Sequence, residues 1–413
     1  MKVWRGEGRQ AIFLTRYKYK VYLIRRAFLP RGKLRGFLLR GVVTMDEFFM
    51  REALNLARNG LGRTSPNPAV GALIVKEGRV IGRGYHRKAG TPHAEILALR
   101  EAGKEAEGAT LYVNLEPCSH YGRTPPCSEA IIKAGIKRVV AAMVDPNPKV
   151  AGRGLAHLKA AGIKVKVGVL EEEARKLNEF FIKHITTGFP FVTLKGAMTL
   201  DGKIATVTGD SRWVTGPLAR EYVHQLRDQY DAIMVGVGTV LADDPLLTTR
   251  LPEGQGRDPV RVIVDSRLRI PLEAKVVNIS EKSSAPTIVA TTNLADPERK
   301  KVLEDKGVEV LTVNHKDSRV DLNHLMMLLG QRGIISVLLE GGAQLNASAI
   351  EAGIVDKILM FIAPKIIGGS LAPGPVGGRG IEKMQEALLL HEVEVTTIGA
   401  DVLISAYIRK GED

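Results

Sequence analysis

The chain has 413 residues and a hydrophobic content of 45%, which is enough for two or more domains with well-buried cores. It contains no apolar run near the roughly 18 residues that a membrane-spanning helix needs. The net charge of +14 would suit a nucleic-acid partner, but residues 1–44 hold 12 Lys or Arg against one acid, which leaves only +3 for the other 369 residues. We therefore expect neither a nucleic-acid nor a membrane partner for the main body.

Residues 1–44 form a basic leader for which the sequence leaves three interpretations open. The Arg-rich, acid-poor composition suits a targeting peptide, but the leader has no Ser and no clear cleavage site. The leader could instead be a basic arm for a nucleic-acid or membrane surface, or upstream sequence translated from a wrongly chosen start. We favour the last interpretation because Met45 reads like an N-terminus that leads directly into a helix. We expect residues 1–44 to be poorly ordered and to play no part in catalysis.

The elements that follow the leader alternate between helix and strand, which predicts a three-layer α/β domain over residues 45–188. Its first helix shows helical apolar spacing from a cap at Asp46 to Gly60. A rigid loop at residues 64–68 separates this helix from a hairpin of two strands. The predicted elements are strands at 70–75 and 80–84, a helix that begins near 93, strand 109–114, helix 127–135, strand 138–143, helix 152–162 and strand 164–168.

Two short segments of this domain carry the pattern of a metal site. The first is His93-Ala94-Glu95, and the second contains Cys118 and Cys127. One nitrogen and two sulfur ligands suit Zn²⁺ and leave its fourth tetrahedral position open for a water, which the metal acidifies. Glu95 is then placed to move protons, as in the signature of zinc deaminases. The two cysteines could instead form a disulfide or be inert core residues, but they are the only two in the chain and nothing in it looks secreted.

Three motifs of this domain occur together in one enzyme family. They are Ser65-Pro66-Asn67-Pro68, His93-Ala94-Glu95, and the segment from Glu116-Pro117-Cys118 to Cys127. In this combination the chain resembles the bifunctional deaminase/reductase family of riboflavin biosynthesis, whose Cys-x₈-Cys spacing differs from the Cys-x-x-Cys of most zinc deaminases. The resemblance implies a cytidine-deaminase-like three-layer α/β/α fold. It also implies hydrolytic deamination of 2,5-diamino-6-(5-phosphoribosylamino)pyrimidin-4(3H)-one to 5-amino-6-(5-phosphoribosylamino)uracil.

The same resemblance implies roles for individual residues of the deaminase domain. His93, Cys118 and Cys127 would bind Zn²⁺, and Glu95 would be the catalytic proton carrier. Asn67 would hold the pyrimidine, although a plain turn residue is the alternative. Two histidines, His86 and His120, would contact polar groups of the substrate unless they are ordinary structural or surface residues. The guanidinium of Arg123 suits a phosphate.

A charged connecting helix is predicted over residues 171–187, and Gly188-Phe189-Pro190 marks the start of a second domain at residues 189–413. This domain opens with a strand at 191–195. No G-x-G-x-x-G motif follows a strand, so a Rossmann domain is not indicated. Glycine-containing turns at 236–239 and 340–342 follow strands 231–235 and 335–339, and such turns offer backbone N–H groups to a phosphate. A single turn of this kind is often a bare connection, but two of them suit a dinucleotide.

Further motifs resemble the reductase half of the same family, among them Leu200-Asp201-Gly202, Ser211-x-Trp213-x-Thr215 and Glu340-Gly341-Gly342. The resemblance implies a dihydrofolate-reductase-like α/β fold that uses NADPH to reduce the ribosyl group to a ribityl chain. The implied NADPH contacts are Ala197, Trp213, Thr239, Asp243, Ser266 and Gly342. The implied substrate contacts are Ser211, Arg227, Leu247, Arg250 and Glu340.

Within this implied site, Arg227 and Arg250 would clamp the 5-phosphate. They could instead be a solvated helix charge and a strand-end charge, and Trp213 could be plain core. No residue of the sequence stands out as the general acid of the reduction, because the cofactor carries the chemistry.

Two other functions compete with this interpretation. One is a zinc deaminase that acts on tRNA or free nucleosides, with the basic leader as an arm. The other is a structural zinc module, although such sites are usually closed by four protein ligands. The resemblance favours a cytoplasmic homo-oligomer, a dimer or a tetramer, that acts on a small-molecule pyrimidine ribotide.

Overall fold

The computed structural model describes residues 44–121, 125–148, 150–252, 254 and 256–409. The first part of the described chain forms a five-stranded sheet. Its strands are β1 Gly71–Lys76, β2 Arg79–Tyr85, β3 Thr110–Val113, β4 Arg138–Ala141 and β5 Lys164–Val167. The strand order is β2-β1-β3-β4-β5, in which β2 and β3 run antiparallel to β1 while β3, β4 and β5 are mutually parallel. The associated helices are α1 Met45–Arg58, α2 Ala94–Ala102, the 3₁₀ helix Gly103–Ala106, α3 Cys127–Lys133 and α4 Arg153–Ala160.

Helices cover both faces of this sheet, as the sequence predicts. Successive side chains of a strand point to opposite faces, so Leu73 packs in the core with α1 while Ile74 packs in the core with α2. Helix α2 lies very close to β2 because Gly84 has no side chain. A Cβ at Gly84 would lie 2.2 Å from the carbonyl oxygen of Ala94. This close approach sets the position of the start of α2, where His93 is the N-cap.

The predicted cap of α1 at Asp46 is wrong, because Thr44 caps the helix. The Thr44 hydroxyl accepts the N–H of Glu47 at 3.2 Å, and the Glu47 carboxylate accepts the N–H of Thr44 at 2.8 Å. This reciprocal capping box satisfies two backbone donors, which a cap at Asp46 would not do. The Asp46 carboxylate instead accepts hydrogen bonds from Arg138 at 2.8 and 2.7 Å, and so ties α1 to β4.

The predicted connecting helix over 171–187 consists of two helices, α5 Glu171–Leu177 and α6 Glu179–Thr187. The break lies at Asn178, whose side chain turns back to the main chain of Ala69. Its Oδ1 accepts the N–H of Ala69 at 2.8 Å, and its Nδ2 donates to the Ala69 carbonyl at 3.1 Å. Helical periodicity could not reveal a break that a contact 109 residues away stabilises. The domain division at residue 188 stays a prediction.

Nine strands of the described chain form the second sheet, in the order β10-β9-β8-β7-β13-β6-β14-β16-β15. Strands from β10 to β14 in this order are parallel, and β16 and β15 are antiparallel at one edge. The strands are β6 Phe191–Thr199, β7 Ala232–Gly236, β8 Val260–Val264, β9 Thr287–Thr291, β10 Glu309–Thr312, β13 Ser336–Leu339, β14 Lys357–Ala363, β15 Leu390–Ile398 and β16 Asp401–Ile408, beside the small hairpin of β11 His315–Lys316 and β12 Arg319–Val320. The helices are α7 Pro217–Gln229, α8 Val237–Asp243, α9 Pro297–Asp305, α10 Leu322–Gln331, α11 Ala343–Glu351 and the 3₁₀ helix Met384–Glu386.

The parallel strands of this sheet are buried on both faces, which explains their continuous apolar runs. Met234 and Val337 belong to the core beneath α10, whereas Ile233 and Val235 belong to the core on the opposite face. Because the strands are parallel, the carboxyl ends of β6, β7 and β13 meet at one edge, where ligands of open α/β sheets bind. Within the described residues, every helix is too short or too polar to cross a bilayer.

Candidate active sites

The first candidate site brings together three side chains from separate elements. His93 precedes α2, Cys118 lies in the loop after β3, and Cys127 is the first residue of α3. The His93 Nδ1 lies 3.2 Å from the Cys127 Sγ and 3.6 Å from the Cys118 Sγ, and the three ligand atoms lie within 4.8 Å of one another. Among the described residues, no fourth His, Cys, Asp or Glu joins this group. The donor set fits Zn²⁺ with an open fourth position, which is the form of a catalytic site.

The pKa values of the two cysteine thiols are shifted in opposite directions. The hydrogen bond from the Cys127 thiol, together with that from His93, lowers the pKa of Cys118 to about 4 despite its burial. The same hydrogen bond, together with burial, raises the pKa of Cys127. The hydrogen bond to Cys118 also raises the pKa of His93. The lowered pKa favours the thiolate of Cys118, the form that binds metal, and zinc binding would displace the remaining thiol proton.

Glu95 stands beside the ligands on the first turn of α2 and is only 4% exposed. Burial, and then the charge of Cys118, raises its pKa above that of an ordinary glutamate. A carboxyl group with a raised pKa exchanges protons more readily near neutral pH, which suits a general acid–base residue.

His86 lies next to the metal-ligand candidate His93, and Asn67 contacts His86. The His86 ring is buried, and its centroid lies 5.5 Å from that of His93. Its Nδ1–H is placed to donate to the Pro92 carbonyl at 3.3 Å, so that Nε2 accepts from the Asn67 amide at 3.2 Å. Burial lowers the pKa of His86, which favours this neutral state.

Two further residues, His120 and Arg123, were predicted to contact the substrate at this site. His120 is exposed and lies two residues after Cys118. Arg123 lies outside the described residues.

Sequence reasoning missed the role of Glu116 as the support of the cysteine loop. This residue directly precedes Pro117-Cys118, and its side chain is buried. Its carboxylate accepts four backbone N–H groups around the start of α4, those of Asp145, Gly152, Gly154 and Leu155, at 3.1, 2.9, 2.8 and 3.2 Å. A Glu before Pro-Cys is visible in the sequence, but nothing in the chain order indicates which N–H groups it meets.

The second candidate site is a cavity of about 940 Å³ at the carboxyl ends of the parallel strands of the second sheet. Most of the residues predicted for the reductase site line it. These are Ala197, Ser211, Trp213, Arg227, Thr239, Asp243, Leu247, Arg250 and Glu340. Gly342 caps α11 close to Thr239. Ser266 does not line the cavity: its hydroxyl accepts the N–H of Val320 at 3.1 Å, and its carbonyl accepts the hydroxyl of Thr292 at 2.9 Å.

This cavity has features that fit a dinucleotide. Helices α8 and α11 both begin after a glycine cap, Gly236 and Gly342, and neither cap makes a side-chain hydrogen bond to the helix N-terminus. Their first backbone N–H groups are therefore suited to a phosphate. Asn346 also lines the cavity, where its Nδ2 donates to the Pro375 carbonyl at 2.8 Å, while its buried Oδ1 has no partner among the described residues. An unpaired buried acceptor suits a donor group on a ligand.

Arg227 and Glu340 form a bidentate ion pair at the wall of this cavity. The Arg227 Nε and Nη2 donate to the two Glu340 oxygens at 2.8 and 2.9 Å, and Nη1 donates to the Thr248 carbonyl at 3.0 Å. Burial alone would raise the pKa of Glu340, but the charges of Arg227 and Lys195 lower it to about 2. Arg250 donates to the Thr248 hydroxyl at 3.1 Å. The predicted phosphate clamp would therefore require Arg227 to share its guanidinium between Glu340 and the substrate.

Lys195 and His224 are among the cavity residues that were not identified from the sequence. The Lys195 Nζ lies 3.9 Å from the Glu340 carboxylate, and burial lowers the pKa of Lys195 despite that carboxylate. His224 accepts the N–H of Arg250 at 3.2 Å. Burial, and then the charges of Arg227 and Arg250, lowers the pKa of His224 to about 4. A lysine directly after the buried apolar run 191–194 is the signal that would have indicated Lys195.

Both parts of the chain match known protein-family models. Residues 43–143 match the cytidine and deoxycytidylate deaminase zinc-binding region, and residues 190–404 match the RibD C-terminal domain. The zinc-binding match includes all three cysteine and histidine ligands together with Glu95. The second match covers the nine-stranded sheet from β6 to the first half of β16.

Whole-chain relatives extend both matches. The chain is 48% identical to the riboflavin biosynthesis protein RibD of Aquifex aeolicus (strain VF5), over 87% of this chain and 98% of that protein. It is 43% identical to RibD of Escherichia coli (strain K12), again over 87% and 98% of the two chains.

Solved structures agree with these relatives. Form 1 of Acinetobacter baumannii RibD is 40% identical, with a TM-score of 0.79 over 89% of this chain and 99% of that chain. A diaminohydroxyphosphoribosylaminopyrimidine deaminase/5-amino-6-(5-phosphoribosylamino)uracil reductase from Thermotoga maritima is also 40% identical, with a TM-score of 0.76 over 88% and 99%. The expected fold class, a cytidine-deaminase-like α/β/α domain followed by an α/β reductase domain, is confirmed.

Proposed function

The chain belongs to the RibD family of bifunctional deaminase–reductases of riboflavin biosynthesis, and we propose how its residues divide the two reactions. Residues 45–188 carry the deamination of 2,5-diamino-6-(5-phosphoribosylamino)pyrimidin-4(3H)-one. Residues 189–413 carry the reduction of the ribosyl group of the product. The observation that supports this proposal most directly is the convergence of His93, Cys118 and Cys127 within 4.8 Å, beside the buried Glu95.

In the deamination, His93, Cys118 and Cys127 hold Zn²⁺, which supplies the acidification of the attacking water. Glu95 accepts one proton from that water and passes it to the ring nitrogen, and it then moves the second proton, from the hydroxyl now bound to the ring carbon, to the amine, so that the carbon–nitrogen bond breaks and neutral ammonia leaves. The raised pKa of Glu95 supports this role, because the residue must both take and give a proton. Asn67, which hydrogen-bonds to His86, orients the pyrimidine, and His86 and His120 contact its polar groups.

In the reduction, the residues of the cavity would hold a nicotinamide cofactor, which when bound would supply the hydride for the open, imine-like C1′ of the sugar. The imine nitrogen must gain a proton as the hydride arrives, and we assign that proton to the Lys195 ammonium. Lys195 has a lowered pKa inside the cavity and lies 3.9 Å from Glu340, which keeps it oriented. The lowered pKa makes the ammonium a better proton donor than an exposed lysine.

The proposed cofactor is NADPH, bound by residues at the strand–helix turns of the second sheet. The N-termini of α8 and α11, which have glycine caps without a side-chain hydrogen bond, would bind its phosphates, and the unpaired Oδ1 of Asn346 would accept a hydrogen bond from the cofactor. The remaining proposed NADPH contacts are Ala197, Trp213, Thr239, Asp243 and Gly342 at the cavity, together with Ser266, which lies outside the cavity lining. The proposed substrate contacts are Ser211, Arg227, Leu247, Arg250 and Glu340.

We also propose a cytoplasmic homo-oligomer, a dimer or a tetramer. Its support is an exposed apolar surface on the edge strand β15 and the segment before it, with Leu371, Met384 and Val395 exposed by 87%, 86% and 65%. A long exposed apolar edge is unfavourable unless another chain covers it. Sedimentation of the full chain should give at least a dimer, and Val395→Glu should shift it towards monomer. A parent protein that sediments as a monomer would refute the proposed assembly.

A coupled assay tests the two proposed reactions in one sample. The zinc-loaded chain receives the diaminopyrimidine ribotide, ammonia release is recorded, and NADPH is then added and its absorbance followed. The expected result is ammonia release followed by NADPH oxidation, with much slower oxidation of NADH. Ammonia release without NADPH oxidation would contradict the assignment of the second half. A folded, zinc-loaded sample that releases no ammonia would contradict the substrate.

A further inference from the structure

The loop of residues 60–69, which we name the Asn67 loop, belongs to the deaminase half but forms hydrogen bonds and an ion pair with the reductase half. It carries Asn67, whose amide hydrogen-bonds to His86 beside the zinc ligands. We propose that Arg63 and Ser65 are positioning residues of the deaminase, held in place by Asp228 and Asp231 of the other half. This inference rests on the proposed function of Asn67 as the residue that orients the pyrimidine.

The first anchor is an ion pair between Arg63 and Asp228, 165 residues apart in the chain. The Arg63 Nη2 donates to both carboxylate oxygens of Asp228, at 2.9 and 3.0 Å, and Nη1 donates to the main-chain carbonyl of Asp228 at 3.1 Å. The side chains are 37% and 17% exposed. Three hydrogen bonds from one planar guanidinium fix orientation as well as distance, which a single surface contact would not do.

The second anchor is the hydroxyl of Ser65, which donates to the Asp231 Oδ2 at 2.8 Å. Asp231 is 8% exposed and cannot easily follow a moving loop, because the reductase half holds it in place. Its Oδ2 also accepts the N–H of Ile335 at 3.0 Å and the hydroxyl of Ser336 at 3.2 Å. Ser65 is therefore attached to a carboxylate at the amino ends of β7 and β13 of the second sheet.

A glycine allows this contact to form. At Gly62 the backbone φ is +71°, and a Cβ there would lie 2.5 Å from the carbonyl oxygen of Asp228. The main chain of the loop thus lies directly against the end of α7, without an intervening side chain. Such a close approach transmits a displacement instead of absorbing it, because packed backbone has no room to adjust.

The anchors lie close enough to Asn67 to set its position. Asn67 is two residues from Ser65, and its N–H donates to the Thr64 carbonyl at 2.8 Å, so the turn moves as one piece. Asp228 directly follows Arg227, which lines the reductase cavity. One short segment, residues 227–231, therefore serves the reductase site with one side chain and the deaminase site with two others.

The test compares kinetic constants of the full, zinc-loaded chain for the diaminopyrimidine ribotide. Arg63→Met and Ser65→Ala should each raise the deaminase KM by roughly 10- to 100-fold, because a small misplacement of a positioning group has effects of that size. They should lower kcat less, and leave zinc content, melting temperature and the reductase KM and kcat for the deaminated ribotide unchanged. Arg63→Lys should give an intermediate KM. The control is Arg83→Met, which removes an exposed arginine of β2 that pairs with Glu101 at 4.0 Å, and should leave all values unchanged.

Two further variants separate this inference from the proposed role of Asn67. Asn67→Ala should raise the deaminase KM, and Arg63→Met should add little in the Asn67→Ala background, because Arg63 acts through Asn67. An unchanged KM in Asn67→Ala would refute the proposed role of Asn67 itself. A raised KM in Asn67→Ala with an unchanged KM in Arg63→Met would overturn the positioning role alone. A fall in melting temperature with equal loss of both activities would also overturn it, and if Arg63→Met does not fold, Arg63→Lys and Ser65→Ala decide the question.

Discussion

The carboxylate of Glu116 accepts the backbone N–H of Gly154 at 2.8 Å, and Gly154 packs directly against the carbonyl of Pro117. A Cβ at residue 154 would lie 1.9 Å from that carbonyl oxygen, so only glycine fits. Because Cys118 is the next residue after Pro117, this contact determines where the metal-binding loop leaves β3. The start of α4 is thus part of the support of the zinc site, although it contributes no ligand.

Replacing Glu116 by Gln should weaken both the fold and zinc binding. The Gln side chain would point an NH₂ group at backbone N–H groups whose hydrogen bonds the carboxylate now accepts. The negative charge at the N-terminus of α4 would also be lost. We expect a loss of about 2–4 kcal/mol in the free energy of unfolding and roughly 10- to 100-fold weaker zinc affinity. Urea unfolding and a zinc competition titration measure the two effects. Glu105→Gln, which changes an exposed glutamate, is the control, and equal behaviour of the two variants would contradict this account.

Replacing Glu95 by Gln should abolish deamination while zinc stays bound, because Glu95 is the proposed proton carrier and does not belong to the group of metal ligands. Loss of a positioned general acid–base lowers kcat by roughly 10²- to 10⁴-fold. The measurement is ammonia release together with the zinc content of the same sample. Glu101→Gln on the exposed side of α2 is the matched control and should retain full activity. Loss of zinc from Glu95→Gln would show that the carboxylate supports the metal instead.

Replacing Lys195 by Met should stop the reduction but not the deamination. Met keeps the volume of the side chain in the cavity and removes the only proton that we assign to the imine nitrogen, so kcat for NADPH oxidation should fall by roughly 10²- to 10⁴-fold. Ammonia release from the same protein should be unchanged. Lys301→Met, which changes an exposed lysine of α9, should leave both reactions intact. A reductase kcat within a few-fold of the parent would eliminate Lys195 as the donor.

The neutral state of His224 should make the fold sensitive to mild acid. Burial, and then the charges of Arg227 and Arg250, lowers the pKa of His224 from 6.5 to about 4, so below pH 6.5 the unfolded chain binds a proton that the folded chain does not. The contribution of His224 to the free energy of unfolding is therefore complete above pH 6.5. As the pH falls from 6.5 towards 4, this contribution is lost, and the free energy of unfolding decreases by no more than about 1.4 kcal/mol per pH unit. Unfolding titrations across this pH range should show that the free energy of unfolding declines less steeply in His224→Gln than in the parent protein. An identical decline in the two proteins would exclude His224 as the cause.

Much of the fold follows from local patterns. Alternation and apolar runs place the strands of the first sheet within about two residues of where the structure has them. The errors arise where a distant contact competes with a local preference. Asp46 is a good cap by type, but its carboxylate is used by Arg138, 92 residues away. The break at Asn178 depends on Ala69, 109 residues away, which helical periodicity cannot register.

The sequence by itself determined the chemistry of the first site, because ligand types and their spacing are local properties of the chain. His93, Glu95, Cys118 and Cys127 lie within 35 residues, and the one nitrogen and two sulfur donors of the His and the two Cys suit zinc. The tertiary structure decided which charges face each other: Arg227 meets Glu340 across 113 residues, and Arg63 meets Asp228 across 165. It also decided that Lys195 is a buried amine with a lowered pKa, since desolvation depends on what packs around a group. Such pairings and burial arise only when distant segments pack together, so no local pattern encodes them.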